Sequence, residues 1–161
     1  MKFTCQKQEL AEAINMAGKA VSSKPQTPIL SGIFLKAEEG TLEVQATDYE
    51  IGIIEEIPIE LETPGQIVLP GRYLQEVVRR LPDDRIRFSF DEKSRTAHIQ
   101  SGNANYTLRS MNAGDYPGVH RVTGDLQFTL PDTVLRSLFR KTVFACSTDD
   151  SRPIFTGVNF D

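Results

Sequence analysis

The side chains that could carry out chemistry are few and scattered along this sequence. The two histidines, His98 and His120, lie apart, and Cys5 and Cys146 form no CxxC motif or Cys/His cluster at metal-binding spacing. Adjacent carboxylates could in principle supply an acid/base pair or metal ligands, and they occur at Glu55-Glu56, Asp83-Asp84 and Asp149-Asp150. The first pair lies on a predicted edge strand and the others in predicted turns, where exposed acids are usual. We therefore predict no catalytic residue, no metal site and no cofactor.

Basic residues are concentrated in three predicted helices, although the whole chain has a net charge of −4. The helical segments contain four acidic residues and these eight basic ones: Lys7, Lys19, Arg72, Arg79, Arg80, Arg136, Arg140 and Lys141. One interpretation is that ordinary helix faces are solvated by Lys and Arg. The other is that several helices present one electropositive surface to a polyanion. Because no aromatic ladder, Gly-rich RNA-binding motif or nucleotide-binding loop occurs, this second interpretation predicts contact with backbone phosphates only.

Hydrophobic periodicity predicts the elements that position these residues. Apolar residues three and four positions apart predict helices over 7–20, 71–81 and 133–145. Alternation and turn signals predict strands over 1–5, 28–37, 41–47, 66–69, 85–90, 95–100, 105–111, 126–130 and 153–160. A long extended run covers 48–61, in which Pro58 indicates an edge or a bulge. Residues 112–125 are rich in Gly, Pro and Asp and are predicted to be an interdomain linker. The pattern is that of an α+β domain with two helices against antiparallel β sheets.

The beginning of the sequence recurs at a constant offset of 125 residues. Residues 1–36 align without a gap to residues 126–161, and TPILSG in the first copy matches RPIFTG in the second. The alignment places Cys5 opposite Leu130 and Cys146 opposite Val21, which predicts that each cysteine is a small buried hydrophobe. We predict a duplicated unit of about 125 residues, with a complete first domain and the start of a linker over 1–120. The linker end and the incomplete second domain then occupy 121–161.

Two features indicate the compartment. The longest apolar runs fall short of the ~18 residues that a membrane span needs. The opening MKFTCQKQEL has charged and amide side chains where a signal peptide would be apolar. We expect a cytoplasmic protein with no membrane partner.

Seven segments, in order and at matching spacing over the whole chain, resemble the bacterial sliding clamps, which are the β subunits of DNA polymerase III. They are MKFTCQKQELAEAI, KPQTPILSGIFLKA, GTLEVQATDYEI, VLPGRYLQEVVRRLP, MNAGDYP, FTLPDTVL and SRPIFTGVNF. The resemblance implies the sliding-clamp fold, with three similar domains per chain, and two chains that join head to tail in a ring around duplex DNA. It implies a processivity factor that tethers the polymerase, with the catalytic subunit of DNA polymerase III and the clamp loader as partners. Such a factor is an accessory subunit of a DNA-directed DNA polymerase without a catalytic site of its own.

The resemblance also implies roles for individual residues. The DNA contacts would be Lys24, Arg72, Arg79, Arg80, Arg136, Lys141 and Arg152. Asp149 and Asp150 occupy the counterpart of the turn at Lys24, where acids would repel phosphate. Tyr106 and Leu108 would lie on the edge that joins a second subunit, mainly through apolar and main-chain contacts. The pocket for short partner peptides would lie mostly outside this chain, and the fragment is expected to be unable to form the ring alone.

Two alternatives remain open from the sequence. The first is a non-catalytic scaffold domain that does not bind nucleic acid and whose helices are merely solvated. The second is an enzyme that uses one of the carboxylate pairs, which would require turnover that disappears when that pair is neutralised.

Overall fold

Two antiparallel sheets and two α-helices make up the first of two units. The computed structural model describes residues 1–22, 27–121, 124, 128–149 and 151–160. Contacts divide the chain into the units Met1–Arg121 and Val122–Asp161. The first unit contains β1 (Lys2–Gln6), α1 (Lys7–Ala17), β2 (Gly32–Glu38), β3 (Thr41–Thr47), β4 (Gly52–Pro58), β5 (Glu60–Thr63), β6 (Gly65–Pro70), α2 (Gly71–Arg80), β7 (Arg85–Asp91), β8 (Thr96–Ser101) and β9 (Ala104–Arg109).

The strands form one sheet in the order β5-β1-β7-β8-β9 and another in the order β4-β3-β2-β6. All their pairings are antiparallel, as the hairpin signals predict. The inward residues of both sheets and the apolar sides of the helices share one buried core. Phe3 of β1 and Phe88 of β7 stack there with ring centroids 4.8 Å apart, which joins two adjacent strands.

The helices are amphipathic, and their buried sides follow the predicted spacing. Helix α1 buries Leu10, Ala13, Ile14 and Ala17, and it packs against β3, β4 and α2. Helix α2 buries Gly71, Leu74, Val77 and Val78. Gly71 is needed for a close approach, because a Cβ there would lie 3.1 Å from the Ser31 carbonyl oxygen and 3.1 Å from the Val21 side chain. Both helices therefore keep one side free for solvent or a partner.

Two predicted strands of the first unit have different bounds. The run over 48–61 contains two strands, β4 and β5, and Pro58 is the last residue of β4, which is an edge strand as Pro58 indicated. The strand predicted over 28–37 begins only at Gly32, because Pro28–Ser31 form a 3-10 turn. The Ser31 hydroxyl donates to the Pro28 carbonyl at 2.7 Å and closes that turn.

Residues 112–121 of the predicted linker pack on the first unit. The Tyr116 ring stacks on Phe34 with centroids 5.3 Å apart, and its hydroxyl donates to the Gln45 carbonyl at 3.4 Å. The Val119 amide donates to Gln45 Oε1 at 3.1 Å. Arg121 forms ion pairs with two carboxylates, at 3.2 Å from Glu43 and with Glu56. We call residues 111–121 the docked segment. The polar composition of this segment did not indicate that Tyr116 and Arg121 hold it against the first unit.

The second unit repeats the helix of the first unit and several hydrogen bonds of the turns that follow it. Helix α3 (Asp132–Thr142) lies 125 positions after α1, and 3-10 turns follow both helices. The Ser22 amide donates to the Leu30 carbonyl at 3.3 Å, and its counterpart Ser147 donates to Phe155 at 2.8 Å. This agreement confirms the repeat register in the described residues.

The strands predicted over 126–130 and 153–160 are wrong where the structure describes them. Residues 128–130 have no regular structure, and Pro153–Phe155 form a 3-10 turn. A strand needs a neighbour for its amide and carbonyl groups, and the described residues of the second unit include no other strand. The apolar side of α3 is exposed for the same reason: no sheet covers it in the described residues. Phe139 of α3 is 37% accessible, whereas its counterpart in α1, Ile14, is 1% accessible.

The two cysteines differ in burial. Cys5 is buried in the core, as predicted, and burial raises the pKa of its thiol to about 12, with a smaller contribution from nearby Glu9. Cys146 is only half-buried, so the prediction that it is a buried residue is wrong. Its counterpart in the first unit, Val21, is half-buried as well. Both thiols are free.

Candidate nucleic-acid interface

The solvent side of α1 and α2 brings two predicted DNA contacts together. Arg72 and Arg79 are seven residues apart on α2, which is about two helical turns, so they lie on the same face. Both side chains are exposed and line an open depression of about 420 Å³ between the two helices. Asn15 of α1 and Gln75 and Glu76 of α2 complete the lining.

The charges in this depression are not equivalent. Glu76 is the one acid in the lining, and its Oε1 accepts a hydrogen bond at 2.6 Å from the Arg80 guanidinium. Arg80, another predicted DNA contact, is exposed, and its guanidinium is paired with Glu76. Within the described ranges, neither Arg72 nor Arg79 has an acidic partner within 4.0 Å. The depression therefore presents two unpaired positive charges, while its only carboxylate is compensated.

Helix α2 is held in place at its C-terminal end by α1. The Lys7 ammonium, in the first turn of α1, donates to the Leu81 carbonyl at 2.5 Å, and the Lys7 backbone amide donates to the backbone carbonyl of Asp84 at 2.7 Å. A cation at a helix C-terminus also interacts favourably with the helix dipole. Lys7 thus has a structural role that the helix charge count did not distinguish from a solvated surface lysine.

The predicted contacts of the second unit are exposed cations. Arg136 lies 3.6 Å from Asp132 at the start of α3, and Lys141 lies near its end. Arg152 precedes the 3-10 turn at Pro153. Lys24, the remaining predicted contact, lies outside the described residues, as does Asp150.

Asp149 is exposed, as predicted for a turn. Its Oδ1 accepts a hydrogen bond at 2.9 Å from the Ser151 amide. This bond and the Ser151 side chain hold the pKa of the Asp149 carboxyl below its ordinary value. An ionised carboxylate at this turn would repel a phosphate brought close to it.

Tyr106 and Leu108, the predicted contacts with a second subunit, lie on an edge strand. Strand β9 pairs with β8 on one side only, and it ends the five-stranded sheet. Both side chains are half-buried against the core, whereas Asn105 and Thr107 point to the opposite face and are exposed. The edge therefore combines partly covered apolar side chains with unpaired backbone groups.

Among the residues that the structure describes, the candidate catalytic side chains do not form one cluster. His98 is exposed on β8, with Nδ1 3.3 Å from the Thr107 hydroxyl, and His120 is exposed in the docked segment. Glu56 is paired with Arg121. In the part of the chain that the structure describes, no three His, Cys, Asp or Glu side chains lie close enough to hold a metal ion. Among the described helices, none has both the length and the apolar character to span a bilayer.

Sequence reasoning missed the two amide side chains of the depression, Asn15 and Gln75. A charge count cannot find neutral residues. The spacing of exposed positions could have found Gln75, because it lies three residues after Arg72 and four before Arg79. Asn15 could not be paired with α2 without knowing how the two helices pack.

Comparison with known proteins identifies the family. Residues 1–120 match the family described as "DNA polymerase III beta subunit, N-terminal domain". The beta sliding clamp of Bacillus subtilis is 37% identical over 168 aligned residues, which cover 99% of this chain and 44% of that protein. The beta sliding clamp of Streptomyces coelicolor is 30% identical over 161 residues, which cover 100% and 42%. The chain thus spans less than half the length of these relatives.

Solved structures give the same result. A DNA polymerase sliding clamp from Bacillus subtilis superimposes with a TM-score of 0.89 at 34% identity, covering 96% of this chain and 42% of that one. The beta subunit from a DNA polymerase of Streptococcus pyogenes superimposes with a TM-score of 0.88 at 28% identity, covering 98% and 43%. These matches confirm the α+β sliding-clamp fold. The chain therefore belongs to the DNA polymerase III beta subunit family.

Proposed function

We propose that this chain is part of a sliding clamp, a processivity factor that encircles duplex DNA as a head-to-tail dimeric ring and tethers the replicative polymerase. One observation carries the proposal: in a member of this family, Arg72 and Arg79 lie on the solvent side of the helices with no acidic partner among the residues that the structure describes. We assign that side to the DNA channel. The first unit is the first clamp domain, and the second unit is the opening of the next. The ring itself is proposed for the longer protein.

The proposed mechanism is topological and needs no catalytic group in this chain. A closed ring prevents DNA from escaping sideways, so its contacts with phosphate can be weak. Exposed Arg and Lys side chains supply contacts that salt screens over a distance of ~8 Å at physiological ionic strength. Contacts of this kind break and re-form easily as the ring slides. The proposed protein partners are the DNA polymerase III catalytic subunit and the clamp loader.

The proposed subunit contact uses β9. Its free edge offers backbone donors and acceptors for a strand of a second subunit. Tyr106 and Leu108 supply partly exposed apolar surface beside it. Because the neighbouring Asn105 is uncharged, contact through the main chain and apolar groups is favoured over salt bridges at this edge.

The test is a charge reversal on the helical face with a matched control on a sheet. Arg72→Glu changes the charge by two units in the depression. Arg87→Glu makes the same change on β7, at an exposed arginine of the same unit. A charge pair ~4 Å apart in water contributes about 1 kcal/mol. Arg72→Glu replaces that attraction by a repulsion of similar size, about 2 kcal/mol in all, so it should weaken binding to a short duplex roughly 30-fold. Binding is measured by fluorescence anisotropy at low salt.

The outcomes separate the proposal from its alternative. We expect Arg87→Glu to bind like the unsubstituted chain, and both variants to unfold at the same urea concentration as that chain. Equal weakening by both substitutions would indicate a response to net charge alone and would contradict a helical DNA surface. An unsubstituted chain that binds no duplex even at low salt would favour a scaffold domain that does not bind nucleic acid.

A further inference from the structure

The depression between α1 and α2 contains hydrogen-bond donors as well as charge. Asn15 comes from α1 and Gln75 from α2, and the two arginines flank them. Among the described residues, no buried side-chain nitrogen or oxygen lacks a partner, and neither amide is bonded to a neighbouring group. Both amides are therefore open to solvent and able to donate to a ligand.

The Gln75 amide lies close to Gly18. A Cβ on Gly18 would lie only 1.9 Å from Gln75 Nε2, so the amide occupies the space that a side chain at position 18 would fill. Gly18 directly follows α1, and Gln75 lies in the middle of α2. The missing side chain at position 18 therefore leaves space for the Gln75 amide beside the end of α1.

The lining matches an anion with several oxygen atoms. Two guanidinium groups and two amides can all donate hydrogen bonds, whereas Glu76 is engaged by Arg80 at 2.6 Å. Phosphate oxygens of nucleic acids accept hydrogen bonds from Arg and from Asn and Gln side chains. The volume of about 420 Å³ is open to solvent and leaves room for a phosphate group together with water.

We propose that this depression receives a backbone phosphate of duplex DNA, and that Asn15 and Gln75 bind it beside Arg72 and Arg79. The inference rests on the proposed function and adds neutral contacts to the charged ones. The two kinds of contact differ in a measurable way. Each phosphate neutralised by a cation releases counterions and contributes about −0.9 to the slope of log K against log salt concentration. An amide carries no charge and contributes nothing to that slope.

The experiment uses the 161-residue chain, labelled with ¹⁵N, and a short duplex of mixed sequence titrated at several salt concentrations. Nuclear magnetic resonance follows weak binding directly and also reports the side-chain NH2 signals. The variants are Asn15→Ala, Gln75→Ala and Arg79→Gln. Gln100→Ala is the control, because it removes an exposed amide from β8. Alanine favours helix, so the two helical amide variants should fold, and thermal unfolding verifies this.

We expect Asn15→Ala and Gln75→Ala each to weaken binding about 2- to 10-fold, as loss of one hydrogen bond does, with the salt slope unchanged. Arg79→Gln should reduce the slope by about 0.9, and Gln100→Ala should change nothing. In the unsubstituted chain, the Asn15 and Gln75 NH2 signals should shift on titration.

Two contrary results are distinguishable. If Arg79→Gln lowers the slope while both amide variants bind normally, the amides do not bind phosphate and only this inference fails. If neither the arginine nor the amide variants affect binding, the helical face is not the DNA surface, and the proposed function fails with it.

Discussion

Replacing Tyr116 tests whether the docked segment belongs to the folded first unit. The Tyr116 ring is half-buried and stacks on Phe34, with centroids 5.3 Å apart and ring planes 20° apart. The two rings pack beside a small apolar cluster of Ile29, Leu30 and Val68. A mobile linker would make none of these contacts, so the free energy of unfolding should report whether they form.

The expected magnitude follows from this packing. Truncating a fully buried large aromatic side chain to alanine costs about 3–5 kcal/mol. Part of the Tyr116 surface stays exposed, so Tyr116→Ala should lower the free energy of unfolding by less than this full cost, about 2 kcal/mol. Tyr116→Phe keeps the ring and removes only a hydroxyl whose hydrogen bond is long, at 3.4 Å. That control should cost less than about 1 kcal/mol.

Urea unfolding followed by circular dichroism measures both variants. The first unit carries the sheets, so its transition dominates the signal, and the slope against urea should be unchanged. A loss of about 2 kcal/mol in Tyr116→Ala with a much smaller loss in Tyr116→Phe would support docking. If the two variants and the unsubstituted chain unfold together, residues 112–121 are a linker in solution and the description of the docked segment is wrong.

Three further predictions concern single groups. The Cys5 pKa is raised from 9.0 to about 12, so its thiolate fraction near neutral pH is about a thousandfold lower than that of a thiol with a pKa of 9.0. A thiol reagent should therefore label Cys146 before Cys5, and equal labelling rates would contradict the burial of Cys5. Burial raises the pKa of Tyr116 from 10.0 to about 12. The stability that this raised pKa contributes is therefore complete below pH 10 and is lost as the pH rises from 10 to 12. Tyr116→Phe should remove this loss, and a pH profile of stability that is unchanged in Tyr116→Phe would contradict the prediction. Gly71→Ala should destabilise the first unit by about 1 kcal/mol, because its Cβ would lie 3.1 Å from the Ser31 carbonyl oxygen, which is closer than ordinary van der Waals contact. A more stable variant by urea unfolding would contradict the close approach.

Local periodicity was sufficient to predict the elements that carry their own pattern. Helices α1 and α2 and the hairpin of β2 and β3 lie within a few residues of their predicted bounds, because their apolar spacing and turn residues are local properties. The repeat register could also be predicted, because residues 1–36 align without a gap to residues 126–161, and residues 125 positions apart make corresponding turn hydrogen bonds. These properties require no knowledge of the tertiary structure.

Features that depend on a distant partner could not be predicted. The segment 153–160 has the composition of a strand, but a strand forms only beside another strand. Residues 112–121 read as a linker because Tyr116 and Arg121 meet Phe34 and Glu43 only after the sheet has formed. Among the residues of the candidate site, Arg72 and Arg79 were identified by counting basic residues in the predicted helices. Gln75 and Asn15 acquire their significance from the packing of α1 against α2.

The most direct test of the central claim is a chemical-shift map of the ¹⁵N-labelled chain titrated with a short duplex at low salt. In the first unit, we predict that the perturbed amides cluster on the solvent side of α1 and α2, around Asn15, Arg72 and Arg79. The exposed face of β7 and β8 should be unaffected, and the shifts should disappear as salt is raised. Perturbations centred on that sheet face, or none on α1 and α2 at low salt, would contradict the assignment of the helices to DNA.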